Sequence, residues 1–272
     1  LSPGSSAIEK LKPEREHLGG SMLDNNTVAV PRLAATNLSK WYGHVGALRE
    51  VSVEFWPGLT GIVGDNGAGK STLMKIFSGY EVPDEGEVLV DGQPVKFHSS
   101  RAAREIGIES LYQTLALVDT LTVADNVFLG RELQRRILGM YVVDRRAMRK
   151  SADDALKLLR ISMPPSRVGV KQLSGGQRQA VALARAIYFG ARVVLLDEPT
   201  AALGPRETAS FLRIIRDTAD HGETVVVVGH NLPQMLELAD HMLVMRAGRV
   251  VAAINPKETS LRELTDFMVG SA

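Results

Sequence analysis

The chain has 272 residues, 44% of them apolar, with a formal net charge of +1 and no cysteine. That length suits one large domain, or a core carrying an inserted subdomain. The balanced charge argues against a broad basic surface for nucleic acid or anionic lipid, and the cysteine count excludes disulfides and thiolate metal sites.

Residues 1–30 are rich in Ser, Gly, Glu, Asn and Lys, without sustained periodicity or a signal-peptide-like apolar core, so a mobile tail is expected there. No apolar run reaches the ~20 residues that span a bilayer, and a soluble single domain is expected over 31–272. "LREVSVEF" alternates like a half-buried strand, and "LTGIVG" is a short apolar strand ending in glycine. "KSTLMKIFSG" reads as a helix closed by Gly79, and "PDEGEVLVDGQPVKF" as two short strands about an Asp-Gly turn. "SRAAREIG", "TVADNVFLGREL" and "RRAMRKSADDALKLLRI" read as helices. Then come helix "SGGQRQAVALARAIYFG", strand "ARVVLLDE", helix "PRETASFLRIIRDTADHG", strand "ETVVVVGH", helix "NLPQMLELAD" and strand "HMLVMR". Such alternation predicts an α/β fold whose mostly parallel sheet is covered on both faces. The segment from about 116 to 172 shows no obvious strand and is expected to form a helical subdomain.

"GDNGAGKS", residues 64–71, matches G-x-x-x-x-G-K-[ST] between an apolar strand and a helix. Glycines there let successive N–H groups turn towards phosphate oxygens, and the helix start adds a favourable dipole. Lys70 brings positive charge to the β- and γ-phosphates, and Ser71 offers a hydroxyl to Mg²⁺. The candidate nucleotide contacts are Gly64, Asp65, Asn66, Gly67, Ala68, Gly69, Lys70, Ser71 and Thr72. Asp197 ends an apolar strand downstream of this loop, a position that holds Mg²⁺ directly or through water. Glu198 beside it is the candidate general base for an attacking water. "LSGGQ" supplies a second glycine-rich helix start, with Ser174, Gly175, Gly176 and Gln177 as a further anion site.

The loop, "LSGGQRQ" and "VVLLDEPT" together make the chain resemble an ATP-binding-cassette ATPase from about residue 33 to 268. The resemblance implies the nucleoside-triphosphatase fold of that family. It has a mostly parallel core sheet, an antiparallel β subdomain and an inserted helical subdomain. It also implies ATP and Mg²⁺ as ligands. Tyr42 in "KWYGHVGAL" takes the place of the aromatic that stacks on adenine. Gln113 in "SLYQTLAL" takes that of the glutamine that senses Mg²⁺ and water and touches the transmembrane partner. His230 in "VVGHN" takes that of the histidine at the γ-phosphate.

The resemblance implies partners as well. A second copy would meet the first head to tail, each signature completing the other's site. Permease subunits would hold the pair at the cytoplasmic face of the membrane, and an extracytoplasmic binding protein would select the substrate. No nucleic acid is expected. "GIESLYQTLALVDTLTVADNVFLGRE" and "INPKE" are similar to the ribose, xylose and fructose group of bacterial monosaccharide importers. A non-sugar transporter, or a soluble member acting on ribosomes or DNA, is the alternative. The span between Gln113 and the signature is too short for a coiled-coil arm, which argues against the second. One position departs from the family pattern: Gly204 stands where an aspartate is usual. Locally, Gly204 precedes Pro205 and suits the N-cap of the helix that follows.

Overall fold

Alternating segments near the start of the chain pair antiparallel, and the continuous apolar runs farther on become buried parallel strands. The structure is a computed structural model that describes residues 30–111, 117–158, 163–201 and 203–270. The expected tail, Val30 apart, lies outside those residues, and so does Gln113.

Strands β1 (Leu33–Tyr42) and β2 (Val45–Phe55) form a hairpin, after which β3 (Gly58–Gly64) leaves for a second sheet. Helix α1 (Lys70–Phe77) follows, and β4 (Glu85–Val90) and β5 (Gln93–Val95) complete a four-stranded antiparallel sheet in the order β2-β1-β4-β5. The expected Asp-Gly turn is there: Asp91 and Gly92 have φ of 49° and 75°, and Val90 pairs with Gln93. Two positive φ values in a two-residue loop match the right-handed twist of the strands it joins.

After α2 (Ser100–Glu105) the chain enters β6 (Ile108–Leu111) and, farther on, α3 (Val123–Val127). Helix α3 is shorter than its sequence suggests. Thr122 opens it with a reciprocal cap to Asp125, but it closes at Phe128. The Phe128 ring is fully buried and packs edge-on against Tyr188 and Phe189. Gly130, at φ 75°, then turns the chain away.

The expectation of a strand-free segment over 116–172 is wrong. Strands β7 (Gln134–Ile137) and β8 (Met140–Val143) form an antiparallel hairpin there. No in–out alternation marks it, because nearly all of its residues are exposed. Its turn is Leu138-Gly139, with φ of 48° and 87°, and leucine is no turn signal. Helix α4 (Arg145–Leu158) follows.

Helix α5 (Gly175–Tyr188), strand β9 (Val193–Asp197), α6 (Pro205–Asp220), β10 (Thr224–Val228), α7 (Leu232–Leu238) and β11 (His241–Arg246) alternate as read from the sequence. An edge strand β12 (Arg249–Ile254) and a last helix α8 (Leu261–Val269) follow them. The second sheet runs β12-β11-β3-β10-β9-β6, parallel throughout except for β12.

Two apolar cores share the central strands by strict alternation. Val194, Leu196, Val225 and Val227 face one core, with helices α3 to α6. Val193, Leu195, Val226 and Val228 face the other, with α1 and the antiparallel sheet. Burial on both faces explains why β9 and β10 read as unbroken apolar runs. It also puts the carboxyl ends of β3, β9 and β10 side by side, where open α/β sheets bind their ligands.

Candidate functional site

Strand β3 is buried through Gly64, and the chain then bends sharply into α1. Gly64 has φ 153°, and a Cβ there would lie 2.1 Å from the Met245 carbonyl oxygen. Gly69 has φ 101°, and its Cβ would lie 2.5 Å from the Ala47 carbonyl oxygen. Glycine is needed at both because backbone from β11 and β2 passes so close. The Gly248 N–H donates to the Ala68 carbonyl at 3.1 Å and pins the loop from the other side.

Lys70 is the first residue of α1, 5% exposed, and its ammonium donates to the Gly64 carbonyl at 2.7 Å and the Asp65 carbonyl at 2.9 Å. Burial lowers its pKa, against the opposing charges of Glu198, Asp197 and Asp65. The cation is thus fixed inside the loop and surrounded by acids. Gly69 caps α1 without a side chain, so no capping side chain covers the first N–H groups of that helix.

Asp197 ends β9 opposite Val228 of β10. Its Oδ1 is buried and has no hydrogen-bond partner among the described residues. Burial raises its pKa, with the Glu198 charge adding to the effect, while the Ser71 hydroxyl and Lys70 work against it. An orphaned carboxylate oxygen beside a hydroxyl is a fit for Mg²⁺, which takes one or two protein oxygens and fills its other positions with phosphate and water. No group of three or more His, Cys, Asp or Glu able to hold a metal occurs among the described residues, so phosphate and water oxygens would have to supply the rest.

A carboxyl with a raised pKa destabilises the fold while it is ionised, an effect absent well below the ordinary carboxylate range and complete above the raised value. Asp197→Asn is therefore expected to melt higher than the parent at neutral pH without nucleotide or Mg²⁺, and to lose ATP hydrolysis. Thermal unfolding of the two proteins checks the first half. A lower melting temperature would mean that the bonds to Ser71 and Lys70 outweigh desolvation.

Glu198 has φ 50°, uncommon for a non-glycine residue, and its N–H donates to the Val228 carbonyl at 3.1 Å. Left-handed backbone of this kind clusters at functional sites. The turn separates the two acids: Asp197 stays against Ser71, while the Glu198 carboxylate meets His230 Nε2. His230 lies just beyond β10. Together with Gly64, Asp65, Asn66, Gly229, Leu232 and Met268 it lines a cavity of about 270 Å³. Sequence reading missed Leu232 and Met268, two apolar helix residues with no motif around them.

Tyr42 ends β1 with its ring 44% exposed. Burial, followed by the charge of nearby Glu81, raises the pKa of its hydroxyl. Trp41 is exposed as well, and its backbone N–H donates to the Asp84 carboxylate at 2.7 Å.

Ser174 caps α5 in a reciprocal box: its Oγ accepts from the Gln177 N–H at 3.4 Å, and the Gln177 Oε1 accepts from the Ser174 N–H at 3.1 Å. A Cβ on Gly176 would sit 3.3 Å from the Glu207 Cβ, so the start of α5 packs closely on the first turn of α6. Ser174, Gly175, Gly176 and Gln177 do not line the cavity described above. Gln179, also missed, is buried and donates its amide to the Pro199 carbonyl.

Gly204 is the N-cap of α6, with φ −71° and ψ 165°. These angles suit any residue, and an added Cβ would meet nothing nearer than Glu207 Oε2 at 4.0 Å. The Gly204 N–H donates to that same carboxylate at 3.3 Å. Gly204→Asp is expected to fold and bind ATP with a melting temperature equal to or slightly above the parent's, since Asp caps better than Gly by a few tenths of a kcal/mol. A marked loss on melting would show that repulsion from Glu207 wins.

The family described as ABC transporter matches residues 48–201. The fructose import ATP-binding protein of Rhizobium meliloti is 44% identical over 246 residues, which is 89% of this chain and 95% of that protein. The xylose/arabinose import ATP-binding protein of Sulfolobus acidocaldarius is 41% identical, over 88% of this chain and 94% of that protein. A ribose import ATP-binding protein of Rhizobium etli is 40% identical over 91% of this chain, but the match spans only 48% of that protein. Among solved structures, a dimeric ATP-binding cassette in a post-hydrolysis state with ADP and Pi superimposes with a TM-score of 0.69 at 26% identity, over 84% of this chain and 100% of that one. The cassette cbiO1 of Clostridium perfringens, part of an ABC transporter complex, gives 0.73 at 27%, over 87% and 93%.

Proposed function

Because the chain belongs to the ABC transporter family, we propose that it is the ATP-hydrolysing subunit of a bacterial importer for monosaccharides. The observation that carries the chemistry is the meeting of Glu198 with His230 beside a glycine loop that holds a buried lysine. The nitrogen-rich edge of that loop and the start of α1 receive the triphosphate. Lys70 is already oriented by two carbonyls, so it meets the β- and γ-phosphates at little entropic cost.

Glu198 accepts a proton from water as the water oxygen attacks the γ-phosphorus in line, and the bond from that phosphorus to the ADP oxygen breaks. His230 orients Glu198 and offers a ring N–H to a γ-phosphate oxygen. Ser71 and Asp197 would hold Mg²⁺, with Gln113 as a further ligand. The bound cation would neutralise charge building on the phosphate oxygens. Tyr42 stacks on the base.

Ser174, Gly175, Gly176 and Gln177 serve the nucleotide of a second copy, in a two-fold symmetric pair with two equivalent sites. Their exclusion from this chain's own cavity supports that assignment, as does the dimeric relative with ADP and Pi. No helix among the described residues is long and apolar enough to cross a membrane. Attachment to the cytoplasmic face therefore goes through permease subunits, and an extracytoplasmic binding protein selects the sugar.

The test is uptake of labelled fructose, xylose and ribose by cells with and without the gene, with Glu198→Gln as control. Loss of uptake of one sugar, restored by the parent and not by the variant, is the expected result. Intact uptake of all three, alongside ATPase activity of the purified chain, would overturn the sugar class and leave the enzyme.

A further inference from the structure

The tip of the β7–β8 hairpin is apolar and open to solvent: Leu138 is 95% exposed, Tyr141 72% and Met140 65%. Behind it stand Arg135 and Arg136 on β7 and Arg145, Arg146, Arg149 and Lys150 on the opening turns of α4, all exposed. Not one of these cations has an ion pair or a side-chain hydrogen bond among the described residues. The nearby carboxylates have other partners: Asp153 holds the Ser166 N–H, Asp154 pairs with Lys157, and the remaining two hold backbone N–H groups. Asp144 accepts from the Ala147 N–H at 3.0 Å, and Glu132 from the Gly130 N–H at 3.1 Å. Segment 134–150 thus gathers six cations against a single acid, in a chain whose net charge is +1. Two of them, Arg145 and Arg146, sit in the first turn of α4, where the helix dipole disfavours positive charge. They lower the stability of the free helix, and an outside anion would relieve the cost.

We propose that this hairpin and the start of α4 form a peg that seats on an anionic bilayer. Leu138 and Met140 enter the boundary between headgroups and acyl chains, Tyr141 lies at its edge level with Arg136, and the arginines meet lipid phosphates. Spacing supports the match. At ~3.3 Å per strand residue, Arg136 stands about 7 Å behind Leu138, and apolar faces of interfacial segments sink about 5–10 Å. Arg136 also pairs across the hairpin with Tyr141, placing a cation beside a residue suited to the water–lipid boundary. A docking groove for a protein would need walls, and this tip is a two-residue turn with both faces open. Membrane contact at this point goes beyond attachment through permease subunits and would orient the helical subdomain against the bilayer.

The experiment is co-sedimentation of the purified chain with vesicles of phosphatidylcholine alone, or with one part phosphatidylglycerol in four. The parent is expected to bind the anionic vesicles, more weakly in 0.5 M salt, and to ignore the neutral ones. Arg135→Glu with Arg136→Glu, and separately Leu138→Glu with Met140→Glu, should each lower partitioning more than about tenfold. Neither pair should change the ATPase rate, which reports folding. In Leu138→Trp, anionic vesicles should add a blue-shifted emission that the parent lacks. Absence of binding to anionic vesicles would overturn the proposal. So would heparin binding as tight as lipid binding with no effect of the tip variants, which would reveal simple polyanion affinity. Binding only to vesicles that contain the permease would overturn it in favour of a protein partner.

Discussion

Glu198→Gln is expected to bind ATP about as well as the parent and to hydrolyse it ~10²–10⁴-fold more slowly, the usual cost of losing a positioned base. The side chain keeps its length and its contact with His230, since an amide oxygen still accepts where the carboxylate did. Lys70, the glycine loop and the Asp197–Ser71 pair are untouched. What disappears is the ability to take a proton from water. With Mg²⁺ and ATP the variant should therefore accumulate as the proposed ATP-bound dimer. Size-exclusion chromatography with ATP, together with phosphate release, checks both halves. Near-parental hydrolysis would show that another group is the base.

Lys70→Ala is expected to fail earlier, at binding. In the proposed mechanism its ammonium meets phosphate in the ground state as well as the transition state, and a hydrogen bond to a charged group contributes about 1.5–3 kcal/mol. Affinity should fall about tenfold to a hundredfold, with hydrolysis lost in consequence. The truncation also strips the Gly64 and Asp65 carbonyls of a donor. A melting curve is needed beside the titration to separate a loosened loop from a missing charge. His230→Ala is the comparison. It should spare affinity and slow turnover, because in the proposed mechanism His230 meets Glu198 and the γ-phosphate and cradles neither the α- nor the β-phosphate. Equal affinity losses in the two variants would make His230 part of the binding cradle.

The central sheet and the nucleotide loop were legible because their signals are local. Val193–Leu196 and Val225–Val228 are unbroken apolar runs, and they are the strands buried on both faces. Gly64 and Gly69 stand where neighbouring backbone leaves no room for a Cβ. The hairpin at 134–143 was not legible, since its residues face solvent on both sides and its turn holds a leucine. Strand β12 escaped for a related reason: it lies at the sheet edge, and its residues "RVVAAI" alternate only between exposed and half-buried. Helix α3 was drawn too long because helical spacing continues past Phe128, although the buried ring and Gly130 end it. Met268 and Gln179 join the site through tertiary packing, which no single stretch of sequence encodes.

The close packing of Gly176 on Glu207 bears on how two such subunits keep time. Glu207 holds the Gly204 N–H, and Gln179 holds the Pro199 carbonyl, so Pro199 and Gly204 are each tied to a residue on α5 or packed against its start. The peptide they delimit begins at the residue after the base. A shift at Ser174 would therefore reach Glu198 through contacts already in place. In the proposed two-fold pair, each molecule would act as a lever with one end in each of two reaction chambers.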